Sequence, residues 1–556
     1  MDKNYGTIVF NKTTNEWILD KIEPHVVIKL KSLFPKIAKT AINPFKLKDS
    51  LEVSADLYWI FQRYSLEISK KDLLLLKDKS KNYHKNISNM EKILVNKSYS
   101  LDSNLNIKDN IVIRPYQSQI AKILNLNKTL ICGDDLGLGK TYSGIASILF
   151  NKKLPAAIVV QTHLTTQWLN KINEVSHLKT HIIKSRTPYT LPDADVYIFK
   201  YSILSGWTNI IETGLFKTVV YDEIQELRAG KATQKGQVSA LLSKKADYNL
   251  GLSATPIYNY GDEIWNIYNI LDENALGDRE SFLREWATFG GSKIIINDPK
   301  ALGSYLRERF LLVRRTKHDV GQDLEPVNKL VYKVEYDENA VKDCMEIAKV
   351  LAMKTLNGSF IEKGCAAREL DLMLRQYTGV SKAKYVAEFV KVFLDNNEPI
   401  ILVGWHRDVY DIWLKELKDY KPLMYTGSES PAQKQKNLNS YINGESNLLI
   451  LSLRSGAGID GLQKRSSIMV FGELDWSPQV HAQAIGRLYR EGQTEKVMAI
   501  FLVSDFGSDP LIMDILGQKN NQSETIMNPT DTIDINPPTD ESRIKLLAKK
   551  ILETKN

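Results

Sequence analysis

Between Ile111 and about Val320, short apolar segments alternate with segments of helical spacing, and this alternation predicts an α/β lobe built on a parallel sheet. Two local patterns support that class. The run Lys128-Thr129-Leu130-Ile131-Cys132 is short and apolar as a buried strand should be, and from Thr141 to Phe150 apolar residues recur at helical spacing, with a glycine-bearing loop between the two. Farther along, Thr218-Val219-Val220-Tyr221 reads as an apolar strand that ends in the adjacent carboxylates Asp222 and Glu223. Strands at Ile158-Val159-Val160 and Asp195-Val196-Tyr197-Ile198-Phe199 extend the set, and ligand sites in such sheets gather at the carboxyl edges of the strands.

The loop Asp134-Asp135-Leu136-Gly137-Leu138-Gly139-Lys140-Thr141 carries the chemistry. Glycines let backbone N–H groups close around phosphate oxygens at a helix N-terminus, a lysine neutralises the outer phosphates, and a hydroxyl holds magnesium. Gly137, Gly139, Lys140 and Thr141 stand where those tasks fall. One position departs from the general pattern G-x-x-x-x-G-K-S/T, because Asp134 occupies the first glycine. Asp222 is the candidate metal ligand, and Glu223 is the candidate group that polarises an attacking water. An Asp-Glu pair alone is most often a solvated turn; together with the loop at Lys140 it points to nucleotide hydrolysis.

The motifs, in their order, resemble the superfamily-two helicase-like ATPases and, within them, the Swi/Snf-related double-stranded DNA translocases of compact prokaryotic or phage type. The resemblance rests on Ile113-Arg114-Pro115-Tyr116-Gln117, on Cys132 to Thr141 with its acidic residue in place of glycine, and on Val159-Val160-Gln161-Thr162 followed by Gln167-Trp168. It continues through Asp222-Glu223-Ile224-Gln225, Leu252 to Asn259, Arg314-Arg315-Thr316-Lys317, Ile401 to His406, Leu451 to Gly458 and Gln483 to Gln493. It covers roughly residues 111 to 520. What it implies is a chain of two RecA-like parallel-sheet lobes with helical protrusions around one ATP and magnesium. Arg114, Gln117, Asp135, Gly137, Leu138, Gly139, Lys140, Thr141, Gly458 and Gln483 would bind nucleotide, with Thr141 and Asp222 on the metal. Lys140, Asp222, Glu223, Arg487 and Arg490 would be catalytic. On a helix, Gln483 and the two arginines would share a face. Gln225, Ser253 and Thr255 would couple nucleotide state to the track, and Thr162, Lys200, Ser202, Ser452, Arg454 and Trp476 are candidates for DNA contacts. The implied partner is double-stranded or forked DNA, bound without sequence preference.

With 556 residues the chain has room for several domains. The expected division is an accessory α+β domain over 1–110, a first lobe over 111–320, a helical connector over 321–381, a second lobe over 382–520, and a linker with a C-terminal helix over 521–556. The formal net charge is +8, and residues 1–110 hold 19 Lys/Arg against 13 Asp/Glu, which suggests an accessory nucleic-acid contact. In that domain Thr7-Ile8-Val9-Phe10 and Trp17-Ile18-Leu19 read as strands and Lys70 to Leu76 as a helix, followed by a connector from Lys77 to Asn104. Asp56 to Tyr64 reads as alternating aromatics in a small strand core, with a base-stacking platform as the alternative. A helical stretch is expected from about 261 to 375. Pro537-Pro538 marks the linker, and the final helix puts Ile544, Leu547, Ala548 and Ile551 on one face, suited to docking on the motor or on a protein partner.

Cys132, Cys344 and Cys365 lack paired spacing, so neither a disulfide framework nor a zinc site is expected, and His406 and His481 read as structural. Without a signal pattern or a membrane-length apolar run, a cytoplasmic location and no membrane partner are expected. Three other functions compete: an ATPase that removes proteins such as RNA polymerase from DNA, a nucleotide-switched DNA-binding scaffold, and a strand-separating helicase.

Overall fold

The computed structural model describes residues 4–34, 37, 40–101, 107–109, 111–254, 262–290, 293–321, 326–357, 360–453 and 459–513. Thr255, Arg454, Gly458, the linker at Pro537-Pro538 and the C-terminal segment with Ile544, Leu547, Ala548 and Ile551 lie outside the described residues. The chain divides into two compact units, residues 1–133 with 140–313, and residues 134–139 with 314–556. No helix among the described residues is long and apolar enough to cross a membrane.

The first unit opens with strands β1 (Thr7–Asn11) and β2 (Glu16–Asp20), helix α1 (Pro24–Leu33), strand β3 (Phe45–Lys48) and helices α2 (Leu51–Arg63) and α3 (Lys70–Val95). The strands form an antiparallel sheet ordered β1-β2-β3, and its core gathers Ile8, Trp17, Leu19, Leu30, Phe45, Leu57, Ile60 and Leu76. The buried Trp17 indole N–H donates to Asp49 at 2.8 Å and to Ser54 at 3.1 Å, so the ring enters the core without an orphaned donor.

Two expectations for this domain fail. Asp56 to Tyr64 is helix, not strand: Ser50 caps α2 by accepting the Val53 N–H at 3.1 Å, and Leu57 and Ile60 turn inward at helical spacing while the aromatics between them are half-buried. The presumed connector from Lys77 is the continuation of α3, a 26-residue helix. Its inward residues are sparse and separated by Lys, Asn and Ser, which hid the period. The first half packs Leu75 and Leu76 into the small domain, and the second half packs Ile87, Met90 and Ile93 into the core of the following lobe. Ser69 caps the start by accepting the Asp72 N–H at 3.0 Å. At the other end the Gln119 amide donates to the carbonyls of Ile93, Leu94 and Asn96 at 2.9, 3.2 and 2.8 Å, serving oxygens that a helix leaves unsatisfied.

The lobe itself runs α4 (Pro115–Asn127), β4 (Thr129–Cys132), α5 (Lys140–Asn151), β5 (Ala156–Val160), α6 (Thr165–Val175), β6 (Thr180–Ile182), β7 (Val196–Lys200), α7 (Thr208–Glu212), β8 (Thr218–Asp222), α8 (Gln234–Lys245) and β9 (Tyr248–Leu252). It closes with α9 (Asp262–Leu271), α10 (Arg279–Trp286), the hairpin β10 (Ala287–Gly290) and β11 (Lys293–Ile296), α11 (Pro299–Glu308) and β12 (Leu312–Val313). Among the described residues these build a seven-stranded parallel sheet ordered β12-β4-β9-β8-β5-β7-β6. All five residues of β5 are buried, as a sheet covered by helices on both faces requires.

The second unit contains β13 (Asn328–Lys333), α12 (Glu338–Asn357), α13 (Phe360–Leu394), β14 (Ile400–Gly404), α14 (Arg407–Glu416), β15 (Leu423–Tyr425), α15 (Pro431–Ile442), β16 (Leu448–Ser452), β17 (Ile468–Phe471), α16 (Pro478–Ile485) and β18 (Met498–Val503). Its parallel sheet is ordered β13-β18-β17-β14-β16-β15. The stretch expected to be helical from 261 to 375 therefore includes a hairpin, a strand of the first sheet and, in β13, the edge of the second. The second sheet takes that strand from ahead of Lys382. β13 is mostly exposed, with Val331 at 54% and Tyr332 at 44%, so its sequence lacks the apolar run of a central strand. Deeper in, the Lys382 ammonium is fully buried and bonds Asp509 at 2.6 Å and the Leu502 carbonyl at 2.7 Å, pinning α13 to the end of β18.

The residue that breaks the phosphate-loop pattern is a structural anchor. Asp134, 1% exposed, takes a forked pair of bonds from the Arg315 guanidinium at 3.0 and 2.6 Å and also accepts the Arg315 backbone N–H at 3.0 Å. The Asp135 N–H donates to the Arg315 carbonyl at 2.9 Å, and Arg314 pairs with the Asp135 carboxylate at 2.9 Å. Removing one partner of such a buried pair strands the other charge and costs about 3–5 kcal/mol. Asp134→Gly, which the general pattern would favour, should therefore destabilise the protein by about that amount in urea unfolding; an unchanged midpoint would refute the anchor. A second expectation concerns acid. His481 is buried, its Nε2 accepts the Asp475 N–H at 3.2 Å, and burial holds its pKa down to about 4, against the opposing charge of Asp475. The ring must stay neutral in the folded state, so stability is full above pH 6.5 and falls about tenfold in the folding constant per pH unit down to 4. His481→Gln should flatten that slope in unfolding curves between pH 7 and 4.5.

Candidate functional site

In the first unit, the chain leaves the carboxyl end of β4 into the phosphate loop and re-enters at Lys140, the first residue of α5, with Thr141 second. Gly137 and Gly139 have φ of +87° and +71°, values that a residue with a side chain rarely adopts, so the tight return to the helix depends on both. β9 lies between β4 and β8, and β8 ends on Asp222. The strand register thus brings Lys140 and the carboxylates to the same sheet edge, near enough that the Lys140 charge acts on Asp222.

Asp222 is held on two sides. The buried Trp168 indole N–H donates to Oδ2 at 2.7 Å and the Glu223 backbone N–H donates to Oδ1 at 3.1 Å. Burial, and next the neighbouring Glu223 charge, push the Asp222 carboxyl up to about 6, while the Trp168 bond and Lys140 act in the opposite sense. Two carboxylates beside a lysine form a place where a divalent cation would relieve repulsion. Among the described residues no group of three or more His, Cys, Asp or Glu side chains is assembled to hold a metal. Magnesium is commonly held by one or two protein oxygens with water and substrate phosphates supplying the rest. Thr141 Oγ1 and Asp222 are the residues that would hold it.

Glu223 has φ of +50°, in the left-handed region, a conformation that costs a non-glycine residue about 1–2 kcal/mol. Strain of this kind persists where the surroundings impose it. The Gln225 amide then binds the Glu223 carboxylate. Below them the Tyr201 hydroxyl donates to the Asp222 carbonyl at 2.9 Å, and burial keeps its phenol protonated.

The other expected positions divide clearly. Arg114 is the N-cap of α4, and the Gln117 side-chain oxygen accepts the Arg114 N–H at 3.0 Å, so the carbonyl of this buried amide serves the helix cap. Ser253 follows β9, is buried, and donates its N–H to the Cys132 carbonyl at 3.1 Å. Thr162 and Ser202 are exposed, and with Lys200 they cluster at the carboxyl ends of the paired strands β5 and β7.

In the second unit, α16 stops at Ile485, so the single helix expected to align Gln483 with Arg487 and Arg490 does not form. Gly486 ends it and hydrogen-bonded turns carry the arginines, with the Arg490 guanidinium bound to the Gly486 carbonyl at 3.0 Å and to Asp460 at 2.9 Å. Ser452 is 6% exposed at the end of β16, which disfavours the direct DNA contact expected of it. The Trp476 indole donates to Asp371 at 2.8 Å, and the ring packs in the cluster of α12 and α13, a structural role. Sequence reasoning missed Trp168 as an orienting residue, although Gln167-Trp168 was in view as a motif. It also missed Asp134 and Arg315, whose pairing spans 181 positions.

Comparison with known proteins adds the lineage. A family model described as SNF2-related domain matches residues 57–375, and one described as Helicase conserved C-terminal domain matches residues 381–492. The chain is 23% identical over 441 residues to the Caenorhabditis elegans "SWI/SNF-related matrix-associated actin-dependent regulator of chromatin subfamily A-like protein 1 homolog", covering 74% of this chain and 62% of that protein. It is 24% identical over 454 residues to the Homo sapiens "DNA annealing helicase and endonuclease ZRANB3", covering 74% and 40%. It is also 22% identical over 465 residues to the Bacillus subtilis "Uncharacterized ATP-dependent helicase YqhH", covering 75% and 80%. The chain thus spans less than two thirds of the nematode and human relatives. With the two family models in succession, the first over more than half of its residues, the chain belongs to the SNF2-related, Swi/Snf-type branch of the superfamily-two helicase-like ATPases.

Proposed function

We propose that this chain hydrolyses ATP with magnesium and uses the cycle to move along double-stranded or forked DNA, in replication, recombination or repair. The observation that carries the reading is the convergence of Lys140, Asp222 and Glu223 on one sheet edge, with Asp222 held by Trp168 and Glu223 held out of the strand by a left-handed backbone. The names of the relatives support the reading, since the human protein is called a DNA annealing helicase, which favours DNA as the track, and the Bacillus protein an ATP-dependent helicase, which favours ATP as the fuel.

In this reading Lys140, at the N-terminus of α5, offsets the charge of the outer phosphates, which the helix dipole and the loop amides also favour. Magnesium, when bound, neutralises phosphate oxygens as charge shifts to the leaving group. Glu223 orients the attacking water and receives its proton, and Gln225 holds that carboxylate in place. Thr162, Lys200 and Ser202 bind phosphodiester oxygens at the neighbouring edge. Contacts of this kind position the duplex without reading its sequence, and they weaken with salt.

Steady-state ATP hydrolysis with no nucleic acid, single-stranded DNA, duplex, forked DNA and RNA tests the proposal, and duplex or forked DNA should stimulate most. Stimulation by single strands or RNA alone would replace the duplex reading with that of a strand-tracking helicase. Lys140→Ala should abolish hydrolysis. Arg490→Ala should lower turnover by at least about tenfold while sparing nucleotide binding, a modest demand beside the roughly 10³ to 10⁵ attributed to such arginines in phosphoryl transfer. Full activity in either variant would overturn the assignment.

A further inference from the structure

The helix that the sequence disguised as a connector presents an unbalanced charged face. α3 contains seven lysines against three carboxylates. At about 100° of rotation per residue, Lys70, Lys77, Lys81, Lys85 and Lys92 fall within an arc of about 80°, with Leu74 and Ser88 between them. All five lysines are exposed. The buried residues Leu76, Ser80 and Met90 lie on the opposite side, which is the side packed into the two cores. At about 1.5 Å per residue the stripe is about 33 Å long.

A solvated helix face ordinarily gains from i,i+4 pairs of opposite sign, but this arc makes none: Lys77, Lys81 and Lys85 are like charges at that spacing, and the exposed carboxylates Asp78 and Glu91 flank the arc by about 20° and 40°. The only ion pair made by α3 among the described residues is that of Lys79 with Asp49, and Lys79 is on the core side of the helix. Asp72 accepts the Phe10 N–H, so one of the three carboxylates is turned inward. Lys70 and Lys71 occupy the first turn, where the helix dipole disfavours cations, and Lys71 crowds Lys12 so closely that the Lys12 pKa is lowered. Helix stability does not account for this distribution. The helix that carries the stripe is held along its length, because both ends of α3 are capped and both halves are packed. The four lysines from Lys77 to Lys92 span about 22 Å, roughly two thirds of one turn of B-form duplex, and lysines act as sequence-blind point charges on phosphates.

We propose that the lysine face of α3 is an accessory duplex-DNA contact, in which Lys77, Lys81, Lys85 and Lys92 bind backbone phosphates outside the two sheet lobes. This rests on the reading of the chain as a DNA motor and names a surface that the motor motifs do not include. The role follows from geometry: a strut rooted in the first lobe holds a row of cations at fixed spacing.

The test is a full-length variant with Lys77→Gln, Lys81→Gln, Lys85→Gln and Lys92→Gln, titrated with a labelled 30-base-pair duplex over a salt series. Its Kd should rise at least about tenfold at 0.15 M salt, and the slope of log Kd against log salt should fall by about 2 to 4, as the loss of that many phosphate contacts requires. Hydrolysis without DNA and the saturated DNA-stimulated rate should be unchanged, with more DNA needed for half-stimulation. Replacing the same four lysines with arginine should preserve Kd and slope, and the single variants should each lower the slope by up to about 0.9. Parent-like Kd and slope in the glutamine variant would overturn the proposal. A parent chain that binds no duplex and shows no DNA-stimulated hydrolysis would instead overturn the underlying motor reading, and this proposal with it.

Discussion

The buried pair of Asp134 and Arg315 is the constraint on which the glycine-bearing loop of the candidate site depends. A phosphate loop has few side chains of its own to fix it, and its two left-handed glycines give the backbone latitude. The forked bond from Arg315, with three further bonds from Arg314 and the two backbones, removes that latitude just before the loop turns into α5. The same carboxylate would be a liability without its partner, since a charge at 1% exposure needs full compensation. A loop of the general pattern takes a glycine here and relies on other means. This chain uses an ion pair whose halves lie far apart in sequence, so loop geometry is conditional on the fold being complete.

A similar logic governs the carboxylates. Burial makes the Asp222 charge costly and the neighbouring Glu223 charge adds repulsion, which is why Asp222 resists ionising. The structure does not relax this by moving them apart. Trp168 fixes one oxygen of Asp222, the backbone fixes the other, and a strained residue conformation holds Glu223 in place with Gln225 beside it. An arrangement held against its own electrostatics is suited to a cation and a charged substrate, which lower its energy when they bind.

Helix α3 joins two levels of organisation. Its inward face belongs to two different cores, so the small N-terminal domain is mounted on the first lobe through packing and not through a flexible tether. That rigidity gives the lysines on the outward face a fixed spacing, the property that turns a general excess of positive charge into an oriented surface.

The candidate nucleotide site was legible in the sequence because it is local: a loop of eight residues between strand and helix, and a carboxylate pair at a strand end. Their chemistry is dictated by residue type and short spacing, and alternation of apolar runs was enough for the α/β class. What the sequence hid was of two kinds. Where apolar residues are few, as in α3 and β13, the pattern falls below the noise of Lys and Asn, and only packing partners reveal the element. Where a role depends on contact across many positions, as with Arg315 on Asp134, Trp168 on Asp222 and Gln119 on the end of α3, residue type alone carries no address. The end of α16 at Ile485 shows the same limit, since register after Gly486 is set by turns and not by helical spacing. The sequence by itself determined which chemical groups the protein has and the fold class that carries them; the tertiary structure decided which of them meet, because burial and pairing are properties of the closed core and not of the chain.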